Sequence, residues 1–133
     1  MKKILLFAFI VISTLTSCRV TKTFTLINAK SNSNKTENDF LMMKGERASF
    51  LELSNEQKEK AVAIWQREKY ELGMAYSKKN KEIAPIIYKS EMNFRALLTD
   101  EQLQKYREKY KQLYTSAGLN DRQLEELRRT YNL

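Results

Sequence analysis

Leu53-Ser54-Asn55-Glu56-Gln57 is the stretch that decides the fold. A serine followed three residues later by a glutamine is a capping box. The hydroxyl accepts from the backbone N–H of the glutamine, and the glutamine side chain reaches back to the serine's own N–H, so two donors orphaned at a helix start are satisfied together. The device returns twice, as Leu98-Thr99-Asp100-Glu101-Gln102 and as Leu119-Asn120-Asp121-Arg122-Gln123. Each copy marks a helix start, and Glu56, Asp100, Glu101 and Asp121 add negative charge where the helix dipole is positive. The leucine before each cap can staple onto the residue five places later, Leu103 and Leu124 in the second and third copies; the first copy has Lys58 there and can use only its aliphatic stem.

Between these starts the apolar spacing is helical. Val62, Trp65, Leu72 and Tyr76, flanked by Ala61 and Ala75, predict one face of a long helix from Asn55 to near Asn80. Ile83, Ile87, Phe94 and Leu97 continue the stripe through a second segment that Pro85 starts or kinks. Leu103, Tyr106, Tyr110, Leu113 and Ala117 mark a third, with Gly118 suited to a left-handed helix end, and Leu124, Leu127 and Tyr131 mark a short fourth. One proline and three glycines leave little turn material for a β fold. Glu56 with Lys60, Glu91 with Arg95, Glu101 with Lys105 and Glu125 with Arg129 are i,i+4 pairs with the acid first, which reads as solvated outer faces. Narrow stripes on few helices make a thin core that a second copy would cover. The expectation is an all-α chain: an elongated antiparallel hairpin of about four helices that forms a homodimer.

The chain begins with Lys2 and Lys3, then the apolar run Ile4 to Ile12. Charge followed by an apolar run is an export signal, and this run is well short of the roughly 20 residues that span a bilayer. Leu15-Thr16-Ser17-Cys18 resembles the lipobox of bacterial lipoproteins, which implies cleavage before Cys18 and acylation of that cysteine. Residues 1–17 are then a signal peptide. Residues 18–39 read as a lipidated cysteine and disordered tether, because Arg19 to Asp39 is rich in Ser, Thr, Asn and Lys and poor in large apolar groups. Thr21 to Ile27 is β-branched enough for a short strand but has no partner strand. Residues 40–133 form the helical domain. With its only cysteine acylated, the chain has no thiol left for an internal disulfide.

The sequence carries 24 Lys and Arg against 16 Asp and Glu, a net charge of +8, which becomes +6 once Lys2 and Lys3 leave with the signal. For an exported chain that balance favours acidic lipids, polysaccharides or acidic polypeptides, and no nucleic-acid motif is present. Without histidine there is no ordinary catalytic triad, and three scattered glycines make no phosphate-cradling loop. Carboxylate pairs such as Glu56 with Glu59 or Glu125 with Glu126 read as surface helix charges, so no enzyme activity, metal or cofactor is expected.

The repeated Leu-Thr-x-x-Gln device opening helices in a small, basic, exported chain resembles the Spy/CpxP family of periplasmic proteins, known for this motif. The resemblance covers roughly residues 40 to 117. It rests on Phe50-Leu51-Glu52-Leu53-Ser54-Asn55-Glu56-Gln57 and on Leu98-Thr99-Asp100-Glu101-Gln102. It departs from the family in having serine and asparagine for threonine in the first and third copies, and in the acyl anchor, whereas the best-known members are free in the periplasm. Some relatives bind zinc, but a chain without histidine and with its cysteine acylated has no such ligands.

The resemblance implies a thin curved dimer of antiparallel helices whose basic concave face holds unfolded or partly folded clients without ATP. Some members instead damp an envelope-stress sensor. The client-binding candidates are Arg67, Lys69, Met74, Lys78, Lys79, Lys81 and Lys89, cations beside adaptable apolar groups. The expected protein is a lipid-anchored envelope chaperone on the outer membrane, facing the periplasm. The alternatives are an interaction or sensory lipoprotein that docks one envelope partner, and a structural lipoprotein that binds acidic surface polymers.

Overall fold

The computed structural model describes residues 25–111 and 118–133, and these are helices joined by short links. Helix α1 covers residues 25–33. It is followed by α2 (Glu37–Phe50), α3 (Asn55–Met74), α4 (Asn80–Ala96), α5 (Asp100–Tyr110) and α6 (Asp121–Tyr131). Among the described residues there is no strand. The all-α expectation therefore holds, with six helical segments where about four were expected. No described helix is long and apolar enough to cross a membrane.

All three capping boxes form. The Ser54, Thr99 and Asn120 side chains accept from the backbone N–H of Gln57, Gln102 and Gln123 at 3.2, 3.2 and 2.9 Å, and each glutamine accepts in return from its cap's N–H at 2.8–3.0 Å. A further cap was not read from the sequence. Thr36 accepts from Asp39 N–H at 3.1 Å and opens α2.

The tether expectation is corrected over residues 25–39. Residues 25–33 are helical, with Leu26 and Ala29 buried, and α2 already begins at Glu37. Polar composition misled here because one leucine and one alanine a turn apart are enough when neighbouring helices supply the rest of the core. Cys18 lies outside the described residues, as do Leu113 and Ala117 of the third predicted stripe.

The core is one cluster fed by every helix. Phe40 and Leu51 come from α2 and its C-cap, Ala61, Trp65 and Leu72 from α3, and Ile83, Ile87 and Phe94 from α4. Tyr106 and Tyr110 come from α5, and Leu124 and Leu127 from α6. α3 packs on both α2 and α4, and α4 also packs on α6. Trp65, Phe94, Tyr106 and Tyr110 form a continuous aromatic run with centroid spacings of 5.4, 5.7 and 4.8 Å.

Several stripe positions are corrected. α3 stops at Met74, so Tyr76 falls in the α3–α4 link and is 98 % exposed, and Val62 points outward. Pro85 sits inside α4 rather than at its start. Gly118 is not left-handed, since no described glycine has positive φ. Glu91 and Arg95 form their pair but are buried, and Lys105 pairs with Glu52 rather than Glu101. Glu56–Lys60 and Glu125–Arg129 form on the surface as expected.

Candidate functional site

The two best motif copies meet in space. Gln57 Nε2 donates to Gln102 Oε1 at 2.8 Å and to the Leu97 carbonyl at 2.8 Å. Gln102 Nε2 donates in turn to Gln57 Oε1 and the Leu51 carbonyl, both at 3.3 Å. Each glutamine thus caps its own helix and also satisfies a carbonyl at the end of α2 or α4, where four helix C=O groups lack intrahelical partners. The third glutamine, Gln123, is buried and donates from Nε2 to Thr25 Oγ1 at 2.8 Å, fastening α6 to α1.

Between the helices lies an ionic layer that sequence reasoning missed. In α2 the inward register is Phe40, Lys44, Arg47, Leu51, so two cations occupy core positions. Arg47 donates to Glu91 Oε2 at 2.9 Å and to the Tyr106 hydroxyl at 3.1 Å, while Tyr106 donates to Glu91 Oε1 at 2.6 Å. Its guanidinium lies 4.4 Å from the Phe94 ring centroid and 5.1 Å from that of Trp65. Arg95 donates to Glu91 at 3.1 Å, to the Leu119 carbonyl at 2.7 Å and to Asp121. Beside this set, Lys44 donates to Glu68 at 2.8 Å, and Ser90 donates to the other Glu68 oxygen at 2.5 Å.

Burial and charge compete at each group. Burial drives the Glu91 carboxyl upward, but the Arg47 and Arg95 charges and the Tyr106 hydroxyl outweigh it and hold its pKa below the usual carboxylate value. Burial, and then the adjacent Glu91 charge, push the Tyr106 phenol far up, so it stays a neutral donor. Lys44 is lowered because its desolvation exceeds the pull of Glu68. Gly118 closes over this layer: a Cβ there would collide with the Tyr106 hydroxyl and stand 2.8 Å from Arg47 Nη1. The adjoining cavity, lined by Thr25, Asn32, Lys44, Glu68 and Glu91 among others, is about 30 Å³, room for a water or two.

The surface candidates separate into three places. Arg67 and Lys89 come together across a groove of about 230 Å³ between α3 and α4, floored by Ala63, Ile64 and Ile86. Arg67 also pairs with Glu71 at 2.7 Å. Met74, Lys78, Lys79 and Lys81 gather at the α3–α4 link, beside exposed Tyr70 and Tyr76. Lys69 belongs to neither, since its ammonium donates to the Ser33 carbonyl at 2.6 Å and ties α3 to α1.

A second groove, about 380 Å³ between α4, α5 and α6, is lined by Tyr88, Met92, Leu103, Leu124 and Arg107 among others; Leu103 and Leu124 were read from the sequence as staple and stripe positions, but none of the five as a binding residue. Its apolar members come from three helices at once, a grouping that no single-helix period reveals. Among the described residues no cluster of His, Cys, Asp and Glu could hold a metal ion. Compared with known protein families, curated proteins and solved structures, the chain matches none.

Proposed function

We propose that this chain is a lipid-anchored envelope protein, held by Cys18, that binds unfolded or partly folded polypeptides without ATP and works as a homodimer. The supporting observation is the α3–α4 groove, where half-buried Ile64 and Ile86 lie between Arg67 and Lys89. An open groove with isoleucines on its floor and, on its rim, Lys89 and an Arg67 shared with Glu71 suits weak contact with many acidic or partly unfolded chains, because shape demands are low and the charges act at a distance. The charged groups of the interior are committed to one another, and the cavity beside them has no space for a substrate, which favours a binding role over catalysis.

The test uses the full protein purified in detergent from membranes, with an unfolding enzyme as client. Suppressed aggregation at low salt, lost by about 0.5 M salt and in an Arg67→Glu/Lys89→Glu variant, is the expected result, since screening shortens the Debye length to a few ångström. No suppression at several-fold molar excess ends the reading. Intact mass decides the anchor, which requires acyl chains on Cys18 and loss of residues 1–17. Sedimentation of the same sample decides the dimer.

A further inference from the structure

The two ends of the bundle differ in charge. α3 is 20 residues long, so its ends stand about 30 Å apart. At its C-terminal end the α1–α2 and α3–α4 links lie side by side, held by Lys78 Nζ donating to Asn34 Oδ1 at 3.0 Å. Lys35, Lys78, Lys79 and Lys81 gather there, and Lys69 is held nearby on the Ser33 carbonyl. The carboxylates on these links and the adjoining turns are all engaged: Glu37 accepts from Gln66, Asp39 from Thr36, and Glu82 from the Ser77 hydroxyl and the Ser77 and Lys79 amides, while Glu71 pairs with Arg67. At the opposite end, around the paired glutamines, the exposed acids Glu52, Glu56, Glu59, Asp100 and Glu101 outnumber the lysines Lys58, Lys60 and Lys105.

The basic end also carries amphipathic side chains that nothing in the fold covers. Tyr70 is 68 % exposed, Met74, one turn later on the same face, is 55 % exposed, and Tyr76 is almost wholly exposed. Tyrosines with an apolar ring and a wet hydroxyl are at home at the headgroup level of a bilayer, where lysines find acidic phosphates.

We propose that this tip, Tyr70, Met74 and Tyr76 ringed by Lys35, Lys79 and Lys81, rests on the anionic headgroups of the membrane, with the acidic end turned away from it. The inference rests on the anchored reading in one respect only. Cys18 is seven residues from Thr25, a span of about 25 Å at most, and this keeps the folded body within reach of the bilayer. The polarity of the bundle then sets which face meets the lipid, and the α3–α4 groove stays open on the flank.

The protein extracted from membranes is reconstituted in phosphatidylcholine vesicles with or without one-third phosphatidylglycerol, and hydrogen exchange is followed by mass spectrometry. Slowed exchange over residues 70–81 on the anionic vesicles alone is expected. Lys35→Gln/Lys79→Gln/Lys81→Gln should abolish it, because each lysine near such a surface is worth about fivefold in binding. Equal protection on neutral vesicles, no protection on either, or no change in the triple variant overturns the proposal. So does protection of this segment by an unfolded client in the absence of lipid, which would assign the tip to protein. An unacylated Cys18 would end the anchored reading by itself, and the exchange result on anionic vesicles would still decide the tip.

Discussion

Gly118 and Glu91 show how far single residues control this molecule. A methyl group at position 118 has no space, because the Tyr106 hydroxyl and Arg47 Nη1 occupy it and both are fixed by Glu91. Gly118→Ala should therefore cost about 1–3 kcal/mol, the usual cost of forcing extra volume into a packed site. Urea unfolding checks this, and an unchanged midpoint would mean that the layer yields easily. Glu91→Gln is the harsher change. It keeps the shape but leaves Arg47 and Arg95 buried without their shared counter-charge, a loss of about 3–5 kcal/mol. Replacing Arg47 and Glu91 together by Met and Leu should cost less than Glu91→Gln alone, since Arg47 is then gone and the remaining Arg95 keeps Asp121 as its partner.

At the scale of elements, the helix starts were legible and the inward faces only partly so. Ser54, Thr99 and Asn120 were readable because a capping box is a local bargain between residues three apart. The pairing of Gln57 with Gln102 was not, because nothing local says that two starts 45 residues apart share one end of a bundle. The register of α2 was hidden for another reason. Lys44 and Arg47 occupy the core positions of its stripe, and a hydropathy pattern scores a partnered buried cation as a surface residue. Glu91 and Arg95 were read as an outer pair on the same grounds, since i,i+4 spacing is the same on either face of a helix.

The glutamine pair can be weighed directly. Gln57→Ala removes a capping contact and two partly buried side-chain bonds, each worth about 1 kcal/mol, so a loss of about 3 kcal/mol is expected. Gln102→Ala should behave alike, and the double variant should lose less than the two together. A double-mutant cycle measures that coupling, expected within about 0.5–3 kcal/mol, and a strictly additive result would show that the two starts stabilise their helices independently.

For the whole molecule, the ionic layer makes stability a property of several helices at once. Arg47 from α2, Glu91 and Arg95 from α4 and Tyr106 from α5 share one set of bonds, and Arg95 extends it to Asp121 at the start of α6. Acid should dissolve this connection. The folded-state pKa of Glu91 is depressed below its ordinary 4.5, so the stability it contributes is complete above that value and is lost as pH falls through the folded pKa. Asp121 is depressed in the same direction by Arg95 and Arg107 despite partial burial, but it is largely open to solvent and its share is screened. Surface carboxylates held by neighbours, such as Glu125 at about 2 beside Arg128 and Arg129, act in the same sense and weaken with added salt. Unfolding free energy at about 0.5 M salt should thus be level from pH 7 to about 5 and fall steeply below 4.5. The helices should unfold in one transition, because α2, α3 and α4 share the buried pairs Lys44–Glu68 and Arg47–Glu91 and none of the three leaves without stranding a charge. The Glu91→Gln chain, less stable throughout, should show a much flatter acid limb. If it instead follows the parent down through the same window, the acid sensitivity lies in the surface pairs and the buried layer is not its origin.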